Sequence, residues 1–415
     1  MEVSRPAATG REVPEVSGEV REIPGKVREV SAEVLVTGAS GFLGRRLAAA
    51  LAASGRQVSG LCRRPPDPAA RGDRGDRGDG GGGAYGAGAG GGGGGGGGEP
   101  ARLDGVRWLR GDVRLPRSYR AHLRPGMAVY HLAALRPGEG RHHGDFEAVN
   151  ATACSDLARC CLERGVRRFI LVTSAHLYGP SSHGVPRRET DGPALEVDWA
   201  ATTGADAAAP PGATAEPPLG SYERTRRAGL LAVRRLIAEG LDAVSLCPTI
   251  LYGPDHPSHP NRITAELRRH IARRIPVAVV IDGGAARRDL VYVDDVVEAA
   301  LAAERLAPPG AEMLLGGEAI SHRELIARVA ALAGRRRAPL LLSIPAPAAL
   351  AAARTADRLL RYDPGCGHVA TIIHLLREWN FDSGRARRLL GYRPRSLEEG
   401  LARTLSWLRE RERAH

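Results

Sequence analysis

The chain of 415 residues contains a single lysine, Lys26, within a combined lysine and arginine total of 59. Its formal charge of +12 is therefore an arginine charge, scattered through helical stretches beside glutamates and aspartates. Aromatic residues make up 4% of the chain, too few for a platform on which bases stack, so nucleic acid is not expected as a partner. No CxxC pair and no cysteine–histidine spacing is present. That excludes the usual zinc patterns and leaves Cys62, Cys154, Cys160, Cys161, Cys247 and Cys366 as reduced core thiols of a cytoplasmic protein, with no metal. The N-terminal stretch lacks the apolar run of a signal peptide. The most apolar later run, Ala338 to Ala353, is short for a membrane span and contains Pro345 and Pro347, so no membrane partner is expected. It reads as a buried strand followed by a helix.

What is present is an alternation of short β-branched runs with helical stretches, the pattern of a parallel sheet covered by helices. Strands are expected at Glu33–Gly38, Gln57–Cys62, Val106–Asp112, Met127–Ala133, Arg168–Ser174 and Asp242–Pro248. Helices are expected near 42–54, 145–164, 221–239, 261–273, 294–306, 321–333 and 396–413. Residues 1–30 have too little apolar surface for a core and read as a disordered extension. The polyglycine segment 71–98 and the Ala/Pro-rich segment 184–218 read as inserts without chemistry.

The first strand ends in "TGASGFLG", Thr37 to Gly44, and passes directly into an alanine-rich helix. Gly38 permits the tight turn, Gly41 lets the backbone approach a diphosphate, and Gly44 allows close packing of helix on strand. The helix N-terminus turns its amide donors and positive dipole end toward the phosphates. A glycine-rich turn by itself is weak evidence; between a strand and a helix it points to dinucleotide binding.

The spacing GxxGxxG after a threonine resembles the short-chain dehydrogenase/reductase superfamily, in its extended NAD-dependent epimerase/dehydratase branch. The resemblance continues through "GDV" (Gly111–Val113), "VYHLAA" (Val129–Ala134), "VN" (Val149–Asn150), "LVTSAHLYG" (Leu171–Gly179), "YERTR" (Tyr222–Arg226), "CPTILYGP" (Cys247–Pro254) and "RRDLVYVDDVVEA" (Arg287–Ala299). It ends with Phe381–Glu410 and covers essentially all but the three irregular segments. It implies a modified Rossmann fold, α/β with a doubly wound parallel sheet. Residues 31–251 would form the cofactor domain, and 252–415 mainly a smaller substrate-binding part from which 289–306 returns to the first.

By the same resemblance Thr37, Gly38, Ser40, Gly41, Phe42, Leu43 and Gly44 hold the dinucleotide, Asp112 and Val113 lie beside the adenine, and Ala133 and Ala134 line the groove. Asn150 and Pro248 belong to the cofactor side. Ser174 is the serine that hydrogen-bonds the substrate oxygen, and Tyr222 the general acid/base. His176, Thr249 and Arg288 fall on the substrate side.

A free tyrosine is a poor base at neutral pH, and the superfamily corrects this with a lysine one helical turn on. Arg226 stands in that place here. Arginine supplies the positive charge equally well but stays protonated and has a longer, planar head. His176 is the first alternative acid/base. At the end of the second strand, where an acidic residue selects NAD, stand Arg63 and Arg64, whose guanidinium groups suit the 2′-phosphate of NADP.

The segment "CPTILYGP" is closer to relatives resembling hydroxysteroid dehydrogenases than to nucleotide-sugar enzymes. The expected activity is an NAD(P)-dependent reductase or dehydrogenase of a small, largely apolar ketone or secondary alcohol. Two alternatives stand: a nucleotide-sugar epimerase or dehydratase, in which Arg288 holds a diphosphate, and a nonenzymatic NADP-binding regulator with a degraded YxxxK motif. For Arg288 an ion pair with Asp289, Asp294 or Asp295 is the plainer expectation. The Ala/Leu-rich helix after Tyr222 suits a homodimer contact as well as a monomeric core.

Overall fold

The computed structural model describes residues 28–65, 105–181, 184–192, 220–254, 261, 263–265, 267–268, 277–363 and 365–413. The expected N-terminal extension up to residue 27, the whole glycine insert, residues 193–219 of the Ala/Pro-rich segment and most of the expected 261–273 helix lie outside them. Twelve strands run in chain order: β1 (Glu33–Thr37), β2 (Gln57–Cys62), β3 (Val106–Arg110), β4 (Ala128–His131), β5 (Arg168–Val172), β6 (Ala243–Pro248), β7 (Ile250–Tyr252), β8 (Val277–Ile281), β9 (Arg287–Tyr292), β10 (Glu312–Leu315), β11 (Glu318–Ser321) and β12 (Leu340–Ile344). Seven of them form one parallel sheet in the order β10-β6-β5-β4-β1-β2-β3.

The sheet is apolar on both faces, and the period of two in its strands sorts side chains between two cores. Val34, Val36, Ala128, Tyr130, Ile170, Val172, Val244 and Leu246 face one side, which is closed by helices Phe42–Ala53, Val293–Leu306 and Gly384–Leu390. Leu35, Val129, Phe169, Leu171, Ala243 and Cys247 face the other, closed by helices Ala153–Glu163 and Ser221–Ala238. Val291, Val293, Val296 and Ala300 also belong to the first core. β10 also joins the main sheet, pairing beside β6, which the sequence did not suggest.

A smaller unit follows. β11, β9 and β7 make a three-stranded sheet that packs with helices His322–Leu332 and Leu397–Arg413 around Tyr252, Leu290, Tyr292, Leu325, Leu401 and Leu405. β8 and β12 pair in parallel as a separate ribbon. Here the sequence reading needs correction. A strand followed by a helix does form, at Leu340–Ile344 and Ala346–Leu360, but all five strand residues are exposed rather than buried. Two strands alone offer one covered face, and an edge strand cannot bury both of its own sides.

All six cysteines are buried free thiols, as the absence of pairing patterns implied. Many arginines serve as internal struts. Arg168, 2% exposed, meets Asp242 at 2.7 Å and donates to the carbonyls of Ala303 and Ala307, and Arg56 meets Glu304 at 2.7 Å. Among the described residues no cluster suits a metal ion, and no helix is long and apolar enough to cross a membrane.

Candidate active site

The strand order reverses between β1 and β4, so their carboxyl ends open a crevice. Gly38 turns the chain there with φ of +69°, and a Cβ on it would lie 2.7 Å from the amide nitrogen of Ala133. Thr37 stitches the two strands: its Oγ1 lies 2.7 Å from His131 Nδ1 and accepts from the Ala133 amide at 3.4 Å, while its carbonyl accepts from the Leu132 amide at 3.2 Å. A Cβ on Gly44 would fall on the Gly38 carbonyl, so the helix packs on the turn only because no side chain intervenes. Phe42 and Leu43 point into the core, leaving Ser40 and Gly41 half-buried at the mouth. The Ser40 hydroxyl bonds the Cys62 thiol.

Gly41 is the N-cap of helix Phe42–Ala53, and no side chain caps that helix. A Cβ on Gly41 would meet nothing closer than the Gly38 carbonyl at 3.3 Å. Uncapped amides beside an open glycine fit a dinucleotide diphosphate. Arg63 is exposed at the end of β2 and exerts its charge on Asp112, which is held mainly by Arg114 at 2.6 Å. Val113 packs on the second core, and Ala133 and Ala134 are half-buried along the crevice.

Asn150 sits in a π-helical turn, Glu147–Thr152, and is 1% exposed. Its Oδ1 accepts from the Leu135 amide at 2.8 Å, and its Nδ2 donates to the Leu135 carbonyl at 3.0 Å and to Thr225 Oγ1 at 3.2 Å. One side chain thus ties the loop after β4 to the Tyr222 helix. Pro248 ends β6 and is buried, so its contribution is to the shape of the strand end.

Ser174 caps the 3-10 turn Ala175–Tyr178, against which helix Ser221–Ala238 packs, bringing the Ser174 and Tyr222 segments together. Ser174 Oγ lies 3.1 Å from His176 Nδ1 and accepts from the His176 amide at 3.3 Å. The His176 ring is boxed in by His374, Trp379 and Phe381, with ring centroids 4.9, 4.8 and 5.8 Å away. Burial pushes its pKa down to about 4, and Nε2 has no hydrogen-bond partner among the described residues. The ring thus meets Ser174 through Nδ1 from inside an aromatic box.

Tyr222 is the second residue of its helix, half-buried, and within electrostatic range of Arg136 in the loop after β4. Arg226 is 3% exposed. Its guanidinium turns inward and donates to the Val172 carbonyl, and Nε has no hydrogen-bond partner among the described residues. The charge is felt by His131, whose pKa falls to about 3 through burial first and Arg226 second.

On the substrate side, Thr249 donates its hydroxyl to Asp289 Oδ1 at 3.1 Å, and the Gly317 amide donates to the same oxygen at 2.7 Å. Asp289 is pushed up to about 6 by burial. Asp294 meets Arg46 at 2.6 Å, and Asp295 meets Arg395. Arg288 itself is 6% exposed in β9, bridged through its backbone to Trp379. Residues 187–191 of the Ala/Pro-rich segment are also tied down, Arg187 pairing with Phe381 and Glu189 accepting from the Leu314 amide at 2.8 Å. His131, Arg136, Trp379 and Phe381 escaped the sequence reading; a polar residue ending a buried strand and the lone aromatic pair in "EWNFD" were the signals available.

A family profile, the NAD dependent epimerase/dehydratase family, matches residues 34–198 and 199–316. The chain belongs to that family. It is similar to sterol demethylase protein B of Methylococcus capsulatus, 27% identical over 391 residues that cover 91% of this chain and 98% of the relative. It is also similar to 2-alkyl-3-oxoalkanoate reductase of Stenotrophomonas maltophilia, 24% identical over 387 residues, 89% of this chain and 98% of the relative. Among solved structures, UDP-glucose 4-epimerase of Thermotoga maritima with UDP-glucose superposes with a TM-score of 0.64 at 19% identity, covering 92% of this chain and 99% of that one. That likeness shows the epimerase/dehydratase fold.

Proposed function

We propose that this family member is an NAD(P)-dependent oxidoreductase of a largely apolar ketone or secondary alcohol. The observations that carry the reading are the uncapped Gly38–Gly44 turn at the strand-order reversal and the packing of the Ser174 turn against the Tyr222 helix. The Gly38–Gly44 turn would hold the dinucleotide, whose nicotinamide would supply or accept a hydride at the substrate carbon. In the reducing direction the Ser174 hydroxyl donates to the carbonyl oxygen, and the Tyr222 phenol transfers its proton to that oxygen as negative charge develops. In the oxidising direction the same phenolate receives the proton.

Arg226 acts in this reading as a fixed positive charge. It lies one turn along the same helix from Tyr222, with its guanidinium held on the Val172 carbonyl beneath the site. Because arginine keeps its proton, Tyr222 exchanges protons with solvent rather than through Arg226. The names of the near full-length relatives, a sterol demethylase protein and an alkyl oxoalkanoate reductase, favour an apolar substrate. The exposed Arg63 beside Asp112 favours NADP over NAD.

A second reading, a nucleotide-sugar epimerase or dehydratase, is favoured by the buried Arg288 of β9. Titration with NADPH and NADH by fluorescence, followed by turnover with polycyclic ketones and UDP-sugars, tests both. Turnover of ketones that Tyr222→Phe lowers about 10²-fold or more, with cofactor affinity kept, supports the first. Conversion of UDP-sugars without net change in cofactor supports the second, and tight binding with no turnover points to a nonenzymatic NADP-binding role.

A further inference from the structure

The β8–β12 ribbon has one face with no covering element among the described residues. Its register sets Leu340 beside Val277, Leu342 beside Val279 and Ile344 beside Ile281, so these six side chains stand on one side in two rows of three. Leu340 is 71% exposed, Leu342 55%, Val279 53%, Val277 38% and Ile344 36%. The other side of β8, Ala278 and Val280, is buried on Ile326 of helix His322–Leu332. β8 is therefore anchored on one side, β12 is exposed on both with Leu341 37% exposed, and the face shared by the two strands is purely aliphatic.

The chain that flanks β12 is basic, and Asp282 after Ile281 is the acid next to β8. Arg336 and Arg337 are exposed and precede Leu340 by four and three residues, which an extended chain spans in about 10–14 Å. Helix Ala346–Leu360, which continues from the ribbon, exposes Arg354, Arg358 and Leu359, the last 78% exposed. From residue 335 to 361 the chain has six arginines and one acid, Asp357. That carboxylate is engaged by the His368 ring at 2.7 Å and by the His368 and Val369 amides at 2.7 and 3.0 Å.

From the aliphatic face and its arginine rim we infer that this ribbon docks on the surface of an anionic lipid bilayer. An aliphatic face without aromatic or hydrogen-bonding side chains has nothing with which to specify a protein partner, whereas an acyl-chain boundary asks only for apolar area. The arginines complement anionic headgroups and add an attraction that salt screens. No described helix is long and apolar enough to cross a bilayer, and the inferred association is peripheral, against the expectation of no membrane partner. The inference is independent of the substrate.

The test is co-flotation of the full chain with vesicles of phosphatidylcholine alone and of phosphatidylcholine with one third phosphatidylglycerol. Expected are at least tenfold more bound protein on the anionic vesicles, a loss of that binding of tenfold or more in Leu340→Glu/Leu342→Glu, and a partial loss with weaker salt dependence in Arg336→Gln/Arg337→Gln. Both pairs are exposed, and unchanged thermal unfolding verifies that the variants are folded. Folded wild type that stays free of anionic vesicles overturns the inference, as does a leucine variant that floats like the wild type. Sedimentation showing a dimer that the leucine variant dissolves, with no vesicle binding, also overturns it and assigns the face to a second copy of the chain.

Discussion

Gly41→Ala separates the ligand-binding reason for a glycine from the packing reason. Position 41 has an ordinary backbone, φ −74° and ψ 173°, and an added Cβ would come no closer than 3.3 Å to any neighbour, the Gly38 carbonyl. Alanine is a poorer N-cap than glycine by up to about 1 kcal/mol, but it restricts the unfolded chain, which returns about 0.4–1 kcal/mol. These nearly cancel, so the melting temperature should barely move. If a diphosphate approaches this backbone, the methyl group intrudes on it, an overpacking of about 1–3 kcal/mol. At about 1.4 kcal/mol per factor of ten, NADPH should bind about 5- to 140-fold more weakly. Gly44→Ala is the counterpart: its Cβ falls on the Gly38 carbonyl, so stability and affinity should fall together. Fluorescence titration beside a thermal melt reads both quantities. Unchanged affinity in Gly41→Ala, or a melting temperature that drops as in Gly44→Ala, would refute the placement of the cofactor.

Acidification should weaken the fold through His131 and His176, whose folded pKa values of about 3 and about 4 lie below the unfolded value near 6.5. Their contribution is fully present above that value and is lost as pH falls, about 2 kcal/mol each at pH 5; Asp289, raised to about 6, offsets about 1 kcal/mol in the opposite sense. Urea unfolding at pH 8 and pH 5 should show the net loss, and His176→Gln should lose about 2 kcal/mol less than wild type over the same interval. Arg226→Lys keeps a buried cation one turn from Tyr222 and should retain turnover, whereas Arg226→Met should lower it at least tenfold in steady-state assays. Arg63→Glu should reverse the preference of NADPH over NADH in binding, and equal loss for both cofactors would count against a 2′-phosphate contact. Arg168→Met strands the Ala303 and Ala307 carbonyls and should cost about 3 kcal/mol in denaturant unfolding without changing cofactor affinity.

Local chemistry made the Rossmann half legible in the chain itself. β1 to β6 and helices Phe42–Ala53, Ser221–Ala238 and Val293–Leu306 follow from period-two apolar strands, a glycine turn and amphipathic stripes, all of which are short-range patterns. β10 was not legible because Glu312–Leu315 has four residues, none of them β-branched; it is a strand because it pairs along β6. The ribbon's exposure likewise depends on which face His322–Leu332 covers, a long-range fact.

The candidate site divides the same way. The sequence by itself determined which residue types meet the cofactor turn, that Tyr222 and Arg226 share a helix face, and that no lysine is available to stand there. Only the tertiary structure decided where the charges and lone pairs point. Arg226 turns to the Val172 carbonyl, Thr249 to Asp289, and His176 into a box of rings from a segment two hundred residues away. Spacing along a helix places a Cβ, but the direction of a long side chain is chosen by whichever buried donor or acceptor would otherwise go unpaired, and those partners come from distant parts of the chain.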